Sequence, residues 1–370
     1  MMNILSQSLA GTVVVDLSRL LPGPMASAIL ADHGALVIEV DAMTSGGGAV
    51  TSTPLPSIGQ NKKSVRLNLR TAKGHEILMD LVRGADVVLE SFRPGAAAAM
   101  GVDYDSFIAV NPRLIFCSIT GYGTDGANRE KSGHDINFMA ESGLMDLFTP
   151  PREEPKMPAV QAADVIGGAL QAVVAILLAL HKRSRTGIGR RIDISMANGA
   201  LPLAAVALDL MRMGMPYRMG ESVLTGALGC YGFYKAADGV YLAVGSLEEK
   251  IFSKLCDLLG CPELKPLQYD LESQNTVKER LAAIFGSKTS AEWIEALGSK
   301  NVCVSAMVSF KDAVEASSQP QEPGPGWSNP ARLYMGPVST PARGADTRKV
   351  LRTIGISESE LDSLAESGVI

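Results

Sequence analysis

The stretch "TVVVDLSRLLPGPMASAILADHGALVIEVD", residues 12–41, decides how the chain is to be read. "TVVVDL" (12–17) is a short run of β-branched and apolar side chains, the composition of a buried strand. "LPGP" interrupts it, and Pro24, with its fixed φ, is placed to open a helix. "MASAILADHG" supplies that helix and Gly34 its stop; "ALVIEVD" (35–41) is the next strand. A strand, a helix and a strand in so few residues make a parallel crossover unit.

The pattern continues outward. After a Gly/Ser/Thr/Pro loop at 44–60, "KSVRLNL" is a third strand. Thr71 is positioned to N-cap a helix running through Val82, with Ile77, Leu78, Leu81 and Val82 on one face and Gly84 at its end. "DVVLES" and "RLIFCSIT" complete the series. Alternation of this kind predicts the α/β class, a mostly parallel, doubly wound (Rossmann-like) sheet covered on both faces. It also invites a dinucleotide, with Asp41 ending the second strand. The first turn has one glycine where the fingerprint needs three, so a pyrophosphate could not approach that backbone in the usual way, and a doubly wound sheet without NAD or FAD is the favoured reading.

Composition changes near residue 215. "YGFYKAADGVYLAVG" (231–245) carries aromatic and β-branched runs around Asp238-Gly239, the mark of a hairpin. "EEKIFSKLCDLLG" and "TVKERLAAIFG" read as helices, and "SSQPQEPGPGWSNPAR" (317–332) as a Pro/Gly-rich connector. Ser357 and Glu360 have capping-box spacing. The expected organisation is a large α/β domain over 1–215, a smaller α+β domain over 216–320, and a segment 321–370 that returns to the large domain. Val165–Leu180 carries no charge, but its 16 residues fall short of the ~20 that span a bilayer. It is expected to be an all-round apolar helix in a soluble core.

The totals agree. At 370 residues the chain exceeds one ordinary core, and its net charge of -5 argues against a nucleic-acid partner. Cys117, Cys230, Cys256, Cys261 and Cys303 fit no metal-ligand spacing, so no metal is expected. They read as reduced thiols, and the first residues show no signal-peptide pattern, so a cytoplasmic location is expected.

Chemistry concentrates in two places. "SGHDINFMAESGL" (132–144) follows the strand "LIFCSIT" and the loop "GYGTDG", where ligands gather at the carboxyl end of a parallel sheet. His134 there is one of four histidines, and Gly133 before it would allow close backbone approach. The plainer alternative is a histidine held by backbone bonds at a helix start. Asp164 stands directly before the apolar helix, as an N-cap or as a carboxylate kept charged where water is scarce.

"LPGPMASAILADHGALVIEVD", "NKKSVRLNLRTAKG", "ADVVLESFRPGAAAAMGVDY", "NPRLIFCSITGYGTDG", "GHDINF" and "HKRSRTGIGRRIDISM" carry a resemblance over nearly the whole chain. It is to the superfamily of family III CoA-transferases and α-methylacyl-CoA racemases. The resemblance implies an acyl-CoA thioester partner and a homodimer of two interlocked, ring-like chains. In transferases Asp164 would be a nucleophile that takes the acyl group; in racemases it would be one of two acid/base groups. His134 is similar to the second base of the racemase branch, and Glu248 (or the adjacent Glu249) to a third acid that orients it. CoA binding is implied for Leu67, Asn68, Leu69 and Arg70, for Ser91, Phe92 and Arg93, and for Gly133, Asp135, Ile136, Asn137 and Phe138. Backbone amides around Gly133 to Asn137 would serve the enolate oxygen, with no metal, nicotinamide or flavin required. A CoA transferase and a non-catalytic thioester-binding protein are the competing functions.

The chain departs from the family where phosphates would be held. Ala42 follows Asp41, and Ala96 to Ala99 follow the "RPG" motif, both places where relatives carry arginine. Lys62, Lys63, Arg66, Arg70 and Arg93 remain as candidate phosphate contacts. Met139, Met145, Met211, Met213 and Met215 could line an acyl surface, with ordinary core filling the favoured reading.

Overall fold

The structure is a computed structural model that describes residues 7–42, 55–317 and 340–370. It divides into two compact units. The first takes the chain up to Ser142, then Pro158–Pro202, then the part from Ser317 onward. Its sheet has six strands: β1 (Val13–Asp16), β2 (Leu36–Ala42), β3 (Lys63–Leu67), β4 (Val87–Glu90), β5 (Ile115–Thr120) and β6 (Arg190–Ser195). Their order is β3-β2-β1-β4-β5-β6, and every pairing is parallel. This is the doubly wound arrangement the alternation predicts, and its strand order reverses between β1 and β4.

Successive side chains of a strand point to opposite faces, so each strand feeds two cores. Val15, Val88 and Phe116 face one core with Ile77, Leu78, Leu81 and Phe107, closed by Leu361 and Leu364 of the C-terminal helix Glu358–Glu366. Val14, Val87 and Ile115 face the other, with Leu30, Ala172 and Ile176. The chain's end joins this unit through backbone bonds: Asn68 N–H donates to the Val369 carbonyl at 2.8 Å, and Asp346 N–H to that of Ser64 at 3.0 Å.

Local chemistry explains the helix ends. Thr71 Oγ1 accepts the Gly74 N–H at 3.0 Å, and Ser357 and Glu360 form the expected capping box. In the first turn, a Cβ on Gly23 would lie 2.2 Å from the Ser18 side chain. The lone glycine serves the packing of the turn on its own strand.

Beneath that turn lies a buried charge network. Asp16 accepts the Ser18 N–H at 2.9 Å and the hydroxyls of Ser18 and Ser27. Lys62 Nζ stands 3.6 Å from Asp16 Oδ2 and 3.4 Å from Glu39 Oε2, and donates to the Pro24 carbonyl at 2.8 Å. A buried ammonium is tolerated only with such partners, so Lys62 is consumed structurally and is withdrawn as a phosphate contact.

The helix expected at Val165–Leu180 runs from Ala163 to Thr186, 24 residues, with its first eight residues in π geometry. By length and composition it could cross a membrane. It is not buried all round as expected. Ala169, Ala172, Val173, Ile176 and Ala179 enter the core, while Val174, Leu177 and Leu178 remain 53%, 41% and 64% exposed. One flank is packed and the opposite flank is apolar but uncovered.

The second unit comprises Gly143–Met157 and Leu203–Ala316. It contains an antiparallel sheet of β7 (Tyr231–Lys235), β8 (Tyr241–Gly245) and β9 (Val304–Ala306). β7 and β8 form the predicted hairpin, with Gly239 at φ +85° in its turn. Helices Glu249–Leu259, Gln274–Phe285 and Ser290–Leu297 cover one side through Phe252, Leu255, Leu281, Phe285 and Trp293.

Candidate active site

β5 ends at Thr120, and the chain then loops back to begin the helix Asp135–Glu141. Two glycines make this return possible. A Cβ on Gly121 or on Gly133 would lie 2.6 or 2.7 Å from the ring of Phe138, which is 2% exposed. Tyr122 meets the same ring edge-on, centroids 5.3 Å apart. Gly133 therefore makes room for Phe138.

His134 caps the helix. Its backbone is extended (φ -125°), its N–H donates to Asn137 Oδ1 at 3.1 Å, and its carbonyl accepts the Asn137 and Phe138 amides at 2.8 and 3.2 Å. Backbone bonds thus fix the histidine while its side chain stays exposed. The positive end of the helix dipole lies beside it.

Asp164 is the second residue of the π-helical stretch Ala163–Leu170; Ala162, not Asp164, occupies the cap position. Its backbone N–H donates to Asp135 Oδ1 at 2.9 Å, which ties it to the residue after His134. Glycine packing holds it there. A Cβ on Gly167 would lie 2.4 Å from the Met196 carbonyl, and one on Gly168 2.9 Å from Pro22. The Asp164 carboxyl is pushed up to about 6, chiefly by burial, then by the negative charge of Asp135, with His134 opposing. A carboxyl with that value can hold or release a proton near neutral pH. Single π turns inside helices recur at functional sites.

The other expected residues fall in separate places. Leu67 ends β3 with its side chain wholly inside the core. Asn68 Nδ2 donates to the Gly368 carbonyl at 3.2 Å, Leu69 packs on the core, and Arg70 is exposed. Ser91 Oγ accepts the Arg19 N–H at 2.8 Å. Phe92 and Arg93 line a cavity of about 230 Å³ with Glu90, Tyr104, Ser118 and Arg191. Asp135 is partly buried, and Ile136 and Asn137 are exposed at the helix start. Glu248 belongs to the second unit, where it is exposed at the start of Glu249–Leu259. Among the methionines, Met139 fills core, but Met211, Met213 and Met215 are 50%, 67% and 43% exposed, against the core-filling expectation.

Two residues were not anticipated. Glu90, 3% exposed, accepts the Phe92 N–H at 2.6 Å, and burial raises its carboxyl above the usual range. An acid closing the apolar strand "DVVLES" was the available signal. Arg343 places a guanidinium nitrogen 3.9 Å from Asp41 Oδ2, beside the place where Ala42 stands instead of arginine. Its distance along the chain hid it.

The doubly wound sheet thus carries a histidine at a helix start and, bonded to the next residue, a partly buried, proton-poised aspartate. The family model described as CoA-transferase family III matches residues 9–324, and the chain belongs to that family. It is 30% identical to human α-methylacyl-CoA racemase over 98% of this chain and 97% of that protein. It is also 30% identical to succinyl-CoA:glutarate CoA-transferase of Mus musculus, over 82% of this chain and 73% of that protein. Among solved structures, a CAIB/BAIF family protein from Brucella suis superposes with a TM-score of 0.77 at 27% identity, covering 94% of this chain and 100% of that one.

Proposed function

We propose that the protein inverts the α-carbon of 2-methylacyl-CoA thioesters by two-base proton transfer through an enolate. One observation carries the reading: the Asp135–Asp164 bond fastens Asp164 to the helix that His134 begins, so an imidazole and a carboxyl serve one locality. In one direction His134 takes the α-proton and Asp164 returns one to the opposite face; in the other they exchange roles. The thioester oxygen, negative in the enolate, is met by backbone amides at the start of Asp135–Glu141. This proton traffic requires no metal, nicotinamide or flavin. Glu248 is assigned as the acid that orients His134, which a homodimer would allow, and the uncovered flank of Val174, Leu177 and Leu178 supports a second copy. A cytoplasmic location belongs to the same reading. Arg93, Arg343, Lys63, Arg66 and Arg70 are assigned to the CoA phosphates.

Coverage favours the racemase over the transferase: the likeness spans 97% of the human racemase but 73% of the mouse transferase. The second reading keeps Asp164 as a nucleophile forming a mixed anhydride, and equal identity to both relatives sustains it. Incubation with a 2-methylacyl-CoA in deuterated water separates them. Deuterium at the α-carbon with loss of epimeric purity supports the racemase. No deuterium despite proven binding, together with CoA transfer to a free acid, contradicts it.

A further inference from the structure

We propose that Asp135 is a positioning residue: its carboxylate clamps the first turn of the Asp164 helix to the start of the His134 helix and stands as a like charge beside Asp164. The inference rests on the acid/base role assigned to Asp164 above, and it gives Asp135 a duty other than CoA contact.

The geometry leads. An N–H in the first turn of a helix has no partner within that helix and must find one elsewhere. Asp164 N–H finds Asp135 Oδ1 at 2.9 Å, across 29 residues of chain. The donor is on the helix that carries one proposed base; the acceptor is adjacent in sequence to the other. A shift of either helix start would break this bond. Gly167 against Met196 and Gly168 against Pro22 restrain the same turn from its other sides.

The charge is the second part. An asparagine could accept the same N–H, so the bond alone gives no reason for an acid here. A like charge beside a carboxyl favours its protonated form. Asp164 responds accordingly, raised by burial and then by Asp135, and lowered by His134. Other elements packed on this turn add little at that point. Met196–Gly199 has no titratable side chain, and Pro22–Asp32 has only Asp32, at its far end. β5 contributes Cys117, sealed in the core. In β6, Arg190 opens the strand at its far end, Arg191 donates to Thr124 Oγ1 at 3.2 Å, and Asp193 is engaged by Thr124; in Asp135–Glu141 the other acid, Glu141, is held by Tyr122 and Lys131. Gln171–Thr186 keeps His181, Lys182, Arg183 and Arg185 at its other end.

The test compares Asp135→Asn with Asp135→Ala in the full chain. The Asp164 carboxyl is followed by NMR with carboxyl-¹³C aspartate, its signal assigned by loss in Asp164→Asn. Asp135→Asn should lower the Asp164 midpoint by roughly one pH unit, the scale of one neighbouring charge, and its kcat should fall less than that of Asp135→Ala, because the amide oxygen still accepts the Asp164 N–H. Asp135→Ala should lower it too, and should also reduce kcat by roughly 10- to 100-fold through misplacement, with KM within about threefold. A midpoint unchanged in Asp135→Asn overturns the proposal, as does a rise in KM alone in both variants. The NMR midpoint needs no turnover. A midpoint that moves in Asp135→Asn, with a wild type that exchanges no α-proton, therefore supports the place of Asp135 beside Asp164 while contradicting the racemase function.

Discussion

Lys62 and Asp16 stand 3.6 Å apart with side chains 1% and 0% exposed, so two of the molecule's charges face each other out of water directly below the first crossover turn. Removing one partner of a buried pair leaves the other uncompensated. Lys62→Met should cost about 3–5 kcal/mol of stability, read as a lower denaturant midpoint. If Lys62 were instead a phosphate contact, the variant would keep its midpoint and raise KM for the thioester.

Asp164 makes the protein less stable than it could be. Its folded-state carboxyl titrates at about 6 against an ordinary 3.8, so ionising it costs more in the folded chain. The penalty is zero below about pH 4, grows as pH rises toward 6 and is constant above. Asp164→Asn should therefore be inactive yet more stable at pH 7.5 by about 1–2 kcal/mol, the linkage value reduced for partial exposure. Thermal melts at pH 7.5 and pH 4.5 check the sign: the gain should shrink at the lower value.

Gly133→Ala should destabilise by roughly 1–3 kcal/mol through overpacking, because the new methyl would meet the Phe138 ring. Gly133→Ala with Phe138→Leu should recover part of that loss, since neighbouring substitutions couple. Additive losses in the double variant would show that the glycine answers to something else.

Arg93 and Arg343 carry the phosphate assignment. Each arginine-to-alanine substitution should raise KM for a CoA thioester roughly 10-fold or more, the worth of a charged hydrogen bond, with kcat little changed. A shorter pantetheine thioester, which lacks the nucleotide phosphates, should be indifferent to both.

How far the sequence went follows from how local each signal was. β1 to β5, the Thr71 cap and the Ser357 capping box were legible because the residues concerned are neighbours in the chain. β6 was not read as a strand: "RRIDIS" is a charged edge strand, and only its pairing with β5 gives it away. β9 has three residues, too few for a period. Asp164 looked like a cap because a residue at a helix start and one inside its first turn share the same composition. His134 and Asp164 were both singled out, but the Asp135 bond that ties them was not, since a bond across 29 residues leaves no mark in the pattern. Arg343 beside Asp41 was hidden for the same reason.

The most direct test asks whether two bases work on opposite faces. Each epimer of a 2-methylacyl-CoA is incubated in deuterated water with His134→Ala and, separately, Asp164→Ala. The account predicts that both variants lose inversion, and that each exchanges the α-proton of only one epimer, the opposite one in the two variants. Inversion that survives in either variant, or exchange of both epimers by a single variant, would contradict it.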